Sequence, residues 1–472
     1  MKKLIADLQR TIVFVMKVIL YLSLIGIFFL LFSIDNWQIL KFSRTAGVTL
    51  VTFVVVGLAM TAAYGGYDVG KRKSKPIIYS IGLATAITDL VTYLQLTIMN
   101  TNAANNQTFK FENIGILCLT LIIQLLIIAL MTYLGNYIYF RINHPEKCCI
   151  IAQNKEVCNH PEFENILSGI MKFKKQYHIN DVIGYKNDDL LEIILRNDTV
   201  FLINIPIKER TEIVEYCYRY GKNIYFNPEI ADVIELTASH VVLDDVSLVA
   251  APVHELSLEQ RIIKRCMDLF VSALAILITS PIWIICAASI KLYDHGSVFF
   301  KQKRATKDGK VFEVYKFRTM KEHSVNYSAK TDDDRITPVG KILRKIRMDE
   351  LPQLLNILKG EMSLVGPRPE MLENVYSYTK ELPEFRYRLK VKAGLTGYAQ
   401  IAGKYNTSPR DKLILDLMYI EQYSIWKDIK LIFQTLIIFF KSDSTEAFGE
   451  KKCVDLKWTD EKRKDGEKGN EK

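Results

Sequence analysis

The sequence predicts a multi-pass membrane protein in three parts: an N-terminal four-helix transmembrane bundle, a Rossmann-like α/β middle domain, and a C-terminal α+β domain that opens with a re-entrant membrane helix. Three observations carry this prediction. Hydrophobic residues make up 49% of the chain but concentrate in four runs before residue 140 and a fifth between Leu269 and Leu292. From Cys148 to Ser257, short β-rich runs alternate with amphipathic ones. Beyond the fifth run come a hairpin signal and two helical patterns dense in cations. The expected domains are 1–145, 146–257 and 258–449, followed by a charged tail at 450–472 with the composition of a disordered segment.

The first four runs, Thr11–Phe32, Val48–Tyr64, Ile77–Met99 and Ile114–Tyr139, are each long enough to cross a hydrocarbon core of roughly 30 Å as helices. The first run lacks a small-residue cleavage site and is followed by further spans, so it reads as a span rather than a signal peptide. Lys2, Lys3 and Arg10 precede the first run, Lys71, Arg72, Lys73 and Lys75 fill the second connection, and Arg141 and Lys147 follow the fourth. The third connection carries only Lys110. By the positive-inside rule both ends of the bundle lie in the cytoplasm. Asp89 and Gln124 fall within the spans, and read either as an interhelical contact or as part of a substrate path.

The net charge of +10 lies largely after the membrane runs and suits anionic partners such as phosphates, nucleotides or lipid headgroups. A nucleic-acid partner is not expected, because the cations interleave with apolar helices. Eight scattered cysteines without a CxxC pair read as free thiols.

In the middle domain the strands are "CCIIAQ", "DVIGY", "TVFLINI" and "NIYF", with a helical stretch at Glu209–Tyr220. The adjacent Cys148 and Cys149 should point to opposite faces of the first strand. A dinucleotide site needs a glycine-rich turn after that strand, where the backbone can approach a pyrophosphate. Gln153-Asn154-Lys155-Glu156 stands there, so the domain reads as structural, regulatory or oligomerising, and is a candidate homodimer contact.

The fifth run has cations at both ends, Lys264 and Arg265 before it and Lys291 after it, with Ser280-Pro281 in its middle. Proline removes an amide donor, and Ser280 can bond a freed carbonyl. A full crossing would carry everything after Lys291 out of the cytoplasm, away from nucleotide-activated substrates. A bent, re-entrant helix would keep it inside. An ordinary proline-kinked span is the alternative, and the chemistry downstream favours re-entry.

Asp308-Gly309 between two β-rich runs signals a hairpin. It would present Lys301, Arg304, Lys316 and Arg318, either as solvated charges or as a grip on pyrophosphate or lipid headgroups. In the next stretch, "DDRITPVGKILRKIRMDELPQLLNILKGEMSLVGPRPE", Val339, Ile342, Leu343 and Ile346 recur at helical spacing as an expected buried face. Pro352 suits the first turn of a following helix, which would set Asp349 and Glu350 at its N-terminus, where the dipole favours negative charge. Two carboxylates among four or five cations suit phosphoryl transfer with a divalent ion. Helix capping plus surface ion pairs is the plain alternative.

"KRCMDL", Ser280-Pro281, "KFRTM", "DELPQLLNILKGEMSLVGPRP" and "AGLTGYAQIAGK" together resemble the bacterial sugar transferases of the monotopic phosphoglycosyl transferase superfamily, from Arg261 to about Gly449. The preceding spans and α/β domain resemble its large polyprenyl-phosphate hexose-1-phosphate transferase members. The resemblance implies a monotopic catalytic domain on the cytoplasmic face of a bacterial inner membrane. It implies transfer of a sugar-1-phosphate from a UDP-sugar to undecaprenyl phosphate, with UMP release, in capsule or exopolysaccharide assembly. Asp349 would be the nucleophile and a Mg²⁺ ligand, and Glu350 would assist the metal or activate the lipid phosphate. Arg344 and Arg368 match phosphate-binding positions, and Ser280-Pro281 matches the break of the re-entrant helix. Thr306 stands where the family usually has glycine, Ala393 where proline is frequent, and Lys404 where arginine is common. An ordinary membrane glycosyltransferase releasing UDP and a non-catalytic assembly scaffold are the competing expectations.

Overall fold

The computed structural model describes residues 2–35, 37–70, 72–103, 111–143, 145–153, 177–251, 255–321, 333–403 and 408–438. Lys71, Lys110, Lys404, the turn residues 154–156 and the charged tail lie outside the described residues. The chain divides into two compact units, the first ending at Asn227 and the second starting at Pro228.

The first unit opens with α1 (Lys2–Phe32), α2 (Arg44–Tyr64), α3 (Ser74–Ala103) and α4 (Ile114–Ile142). Together with Leu258–Asp294 in the second unit they make, among the described residues, five helices long and apolar enough to cross a membrane. Leu20, Leu24, Phe28, Phe53, Ile81, Tyr93 and Ile128 interlock in one apolar cluster among the first four. Outward residues such as Leu22, Leu30, Val51, Leu58, Leu126 and Leu130 are apolar as well. Helices that are apolar all round suit a lipid solvent. Buried Asp89 is met by Gln124, whose amide donates to the Asp89 carboxylate at 3.4 Å and to Leu24 O at 3.0 Å. This geometry fits the interhelical contact.

The same unit continues into a parallel sheet of β1 (Glu146–Ala152), β2 (Tyr177–Gly184), β3 (Thr199–Ile203) and β4 (Asn223–Phe226), in the order β2-β1-β3-β4. Helices α5 (Leu190–Arg196) and α6 (Ile207–Arg219) connect its later strands. The central β1 and β3 are continuous buried runs, as a sheet covered on both faces requires. Cys149 joins Ile151, Val200 and Cys217 in one core, while buried Cys148 lies outside that cluster, as side-chain alternation demands. Each described cysteine is free. At the carboxyl ends of β3 and β4, the Asn204 amide N–H donates to Asn227 Oδ1 at 2.9 Å, and Asn227 Nδ2 donates back to Asn204 Oδ1.

The second unit begins before the change in composition near Ser257. Helix α7 (Ile230–Glu235) buries Val233 in the second unit's core, and Glu229 pairs with Arg410 at 2.7 Å. An antiparallel hairpin of β5 (Ser239–Leu243) and β6 (Val246–Ala250) follows. Then comes α8 (Leu258–Asp294), capped by a reciprocal Ser257–Gln260 box. Its 37 residues reach about 55 Å at 1.5 Å per residue.

One face of α8 is held by the second unit at both ends. Near its start Lys264 donates to Asp428 and to Val365 O, Arg265 to Ile357 O and Leu358 O, and Asp268 accepts from Leu364 N at 2.9 Å. Near its end Cys286 and Ile290 pack with Phe317 and Leu343, and Asp294 pairs with Arg318. Phe270, Leu277, Ile278, Ile284 and Ile285 face outward, fully apolar.

The hairpin of β7 (Phe299–Ala305) and β8 (Val311–Phe317) turns through Asp308 and Gly309, both at positive φ as expected. Helix α9 (Pro338–Lys345) follows, then a 3-10 turn at Met348–Glu350, α10 (Gln353–Lys359) and β9 (Ser363–Val365). Next are α11 (Leu372–Glu381), β10 (Gly394–Thr396) parallel to β9, α12 (Tyr398–Ala402), α13 (Pro409–Glu421) and α14 (Ile425–Ile438). Leu354, Ile357, Val365, Phe385, Leu413 and Leu417 form the core. A Cβ on Gly394 would lie 2.1 Å from Gly366 N, so only glycine lets the "GPRP" and "AGLTG" segments meet so closely.

Two expectations change here. The inward face of α9 is Gly340 and Leu343, whereas Ile342 and Ile346 are exposed. Gly340 sets this rotation, since its backbone runs directly against Thr319 O. Nor do Asp349 and Glu350 open the following helix. Arg347 at φ 53° reverses the chain after α9, the two carboxylates close a separate 3-10 turn, and α10 starts at Gln353. The two carboxylates therefore do not sit at the N-terminus of a helix whose dipole could stabilise them.

Candidate active site

Three segments converge on the carboxylate pair. Strand β8 supplies Lys316, the turn after α9 supplies Asp349 and Glu350, and the loop after β9 supplies Arg368. Lys316 Nζ stands 3.1 Å and Arg368 Nη2 2.7 Å from the same oxygen, Glu350 Oε1. Burial opposes ionisation of Glu350, yet Arg368 and Lys316 outweigh it and hold the carboxyl well below its usual range. The same pairing pushes the Arg368 guanidinium up.

Asp349 differs from its neighbour. No hydrogen bond or ion pair to its carboxylate occurs among the described residues. Burial pushes its pKa above the ordinary aspartate value, Glu350 adds to the rise, and Lys316, Arg344 and Arg368 pull the other way. It is thus an unengaged carboxylate in a field of cations.

Arg344 points from α9 toward this field, its Nε donating to Thr319 Oγ1 at 2.9 Å. Arg304 is half-buried, feels the charge of Arg368 and donates to Pro369 O at 3.1 Å. Burial and then the Arg368 charge lower its pKa to about 10, and it gains from Glu370 and Glu350. The hairpin register explains which of its cations join. Arg304 pairs with Phe312 and Phe300 with Lys316, so Arg304 and Lys316 share the inner face. Lys301, opposite Tyr315, falls on the outer face, 56% exposed and 3.7 Å from Glu313. Arg318 lies beyond the strand, bound to Asp294 and to Ser297 O at 2.6 Å, and serves the end of α8. Lys301 and Arg318 are therefore not brought to the pair. Ser280 Oγ donates to Leu277 O at 2.8 Å, the carbonyl that Pro281 leaves free, and α8 runs through the site as helix.

Several neighbours were not evident from sequence. Thr319 anchors Arg344, and buried Arg388 and Asp416 with partly buried Glu370 and Lys412 form a charged network behind Arg368. The acidic Glu370 at the end of "GPRPE" was the one available signal. Two of the departures from the family pattern turn out to be one feature. The Ala393 N–H donates to Thr306 Oγ1 at 3.1 Å, a bond that a proline at 393 could not make.

Apolar helices and a carboxylate pair among four cations define the class: a membrane protein with a charged site suited to anionic groups. The chain belongs to the bacterial sugar transferase family, whose model matches residues 259–442. It is 38% identical to the UDP-glucose:undecaprenyl-phosphate glucose-1-phosphate transferase of Escherichia coli K12, over 44% of this chain and 47% of that one. With the Caulobacter vibrioides protein of the same name it shares 37% identity, over 38% of this chain and 71% of that one. With the UDP-N-acetylgalactosamine-undecaprenyl-phosphate N-acetylgalactosaminephosphotransferase of Aeromonas hydrophila it shares 41%, over 37% and 43%. The chain thus spans less than half the length of the Escherichia and Aeromonas proteins.

Proposed function

We propose that this protein transfers a hexose-1-phosphate from a UDP-sugar to undecaprenyl phosphate through a phosphosugar carried on Asp349, releasing UMP and starting a capsule or exopolysaccharide repeat unit. The observation that carries the reading is the contrast within the pair: Glu350 is held by two cations, and Asp349 is unengaged. An Asp349 oxygen attacks the β-phosphorus of the UDP-sugar, and the bond from that phosphorus to the bridging oxygen breaks, so UMP leaves with the electron pair. Arg368, Lys316 and Arg344 oppose the charge that builds on the phosphoryl oxygens. An oxygen of the lipid phosphate then attacks the same phosphorus, returning Asp349 to a carboxylate and forming polyprenyl diphosphate sugar.

Among the described residues no cluster of three or more metal-ligating side chains exists. Mg²⁺ ordinarily binds through one or two carboxylates plus substrate phosphates, and Asp349 with Glu350 fits that donor set. Bound there, it would neutralise phosphate charge. The relatives' substrates, UDP-glucose and UDP-N-acetylgalactosamine with undecaprenyl phosphate, support the substrate class.

We place the second unit on the cytoplasmic face of the inner membrane, with α8 re-entrant. Both ends of α8 bind one body, which a helix crossing to the far side could not do, and between Ile262 and Ala288 its exposed residues are apolar apart from Ser280. Cysteine labelling after Lys291 from outside intact cells should fail. The chemistry is tested by supplying membranes with UDP-hexoses, Mg²⁺ and undecaprenyl phosphate and identifying the released nucleotide. UMP is expected. UDP would make the protein an ordinary glycosyltransferase and end this reading.

A further inference from the structure

We infer that Arg388 is a positioning residue that acts through Arg368, held to that task by Asp416 and Glu370. The inference rests on the function proposed above. Arg388 comes from the 3-10 segment Pro383–Lys390, and its side chain is 4% exposed. Its Nη2 donates to the backbone oxygen of Arg368 at 2.9 Å. Its Nε and Nη2 reach Asp416 Oδ2 at 2.9 and 2.8 Å, and its Nη1 stands 3.7 Å from Glu370 Oε1. Lys412 approaches that Glu370 oxygen to 3.4 Å, and the Phe385 ring lies 4.8 Å from the guanidinium.

The neighbouring peptide is fixed as well, because Arg304 donates to Pro369 O at 3.1 Å. Two successive carbonyls, those of Arg368 and Pro369, are thus each taken by a guanidinium from a different element, buried Arg388 and half-buried Arg304. A third point is added where Glu370 faces Arg388. From this braced strip the Arg368 side chain projects the other way and meets Glu350 at 2.7 Å. A buried guanidinium is costly unless its donors are spent, and here they are divided between Asp416 and the loop that carries Arg368. Lysine could not replace it, since a single ammonium cannot grip a carboxylate and a backbone carbonyl in this forked arrangement. None of the contacts described for Arg388 is with Asp349 or Glu350, so its influence passes through Arg368.

A brace that serves stability alone predicts something different, and a double-mutant cycle separates the two. UMP release by the wild-type protein in membranes is established first, so that a failure of the functional reading appears before any variant is compared. Arg388→Gln and Arg388→Lys are then assayed alone and in an Arg368→Ala background. Misplacing a binding group by about 1 Å can cost about 100-fold, so a loss of about 10- to 100-fold in kcat is expected in the wild-type background. In the Arg368→Ala background the same changes should cost less than about twofold, because the group they position is gone. Equal fold losses in both backgrounds would overturn the inference. If the Arg388 variants do not accumulate, Asp416→Asn takes their place in the same cycle, with the same expected and overturning results.

Discussion

The middle sheet and the second unit both end parallel strands in polar loops, and they treat their polar groups in opposite ways. At the ends of β3 and β4, Asn204 and Asn227 satisfy each other. Beyond β9 the "GPRP" loop sends Arg368 to Glu350, and Asp349 beside it is left with no bonding partner among the described residues. A carboxylate surrounded by cations is ordinarily paired with one of them, so a carboxylate left without a bonding partner there marks a place where chemistry can use it. The difference teaches where to look: the reactive group is the charged one that the fold surrounds with cations but does not bind.

The sharpest way to break that comparison is Asp349→Asn, which keeps shape and removes the nucleophile. Turnover should fall on the order of 10³-fold or more, read as nucleotide release. Full activity would move the chemistry elsewhere. A smaller effect is expected from Lys316→Met. Asp349 must be ionised to attack, and burial already sets its pKa above the ordinary aspartate value. The acid limb of kcat/KM should therefore lie above that value, with activity lost as pH falls through it. Removing Lys316, which favours the ionised form, should push the limb higher still and lower kcat/KM by about 10- to 100-fold. The smallest effect belongs to the middle domain. Asn227→Ala should cost about 1–2 kcal/mol of stability in thermal melts and leave turnover within about twofold. A large loss of turnover there would mean that this sheet end also takes part in function.

Much of this was legible in the sequence. The apolar runs became helices, and "NIYF" and "TVFLINI" became strands, because periodicity and β-branched content act locally. The carboxylate pair and its arginines were legible through charge crowding and shared motifs. Lys301 could have been set aside from the hairpin turn alone, since register fixes which cations share a face. Arg318 could not, because its partner Asp294 belongs to another element. The rotation of α9 depended on a tertiary approach at Gly340, and the reversal at Arg347 on a backbone state that residue type does not announce. The Arg388–Asp416 pair joins residues on different elements, and one sequence carries no signal of such pairing.

The central claim is that Asp349 carries the phosphosugar. The direct measurement is the intact mass of the purified protein after incubation with a UDP-hexose and Mg²⁺ in the absence of lipid acceptor, followed by peptide mapping. An added hexose phosphate is expected on the peptide containing Asp349, discharged by undecaprenyl phosphate. Turnover with acceptor present but no adduct formed at any time would contradict it.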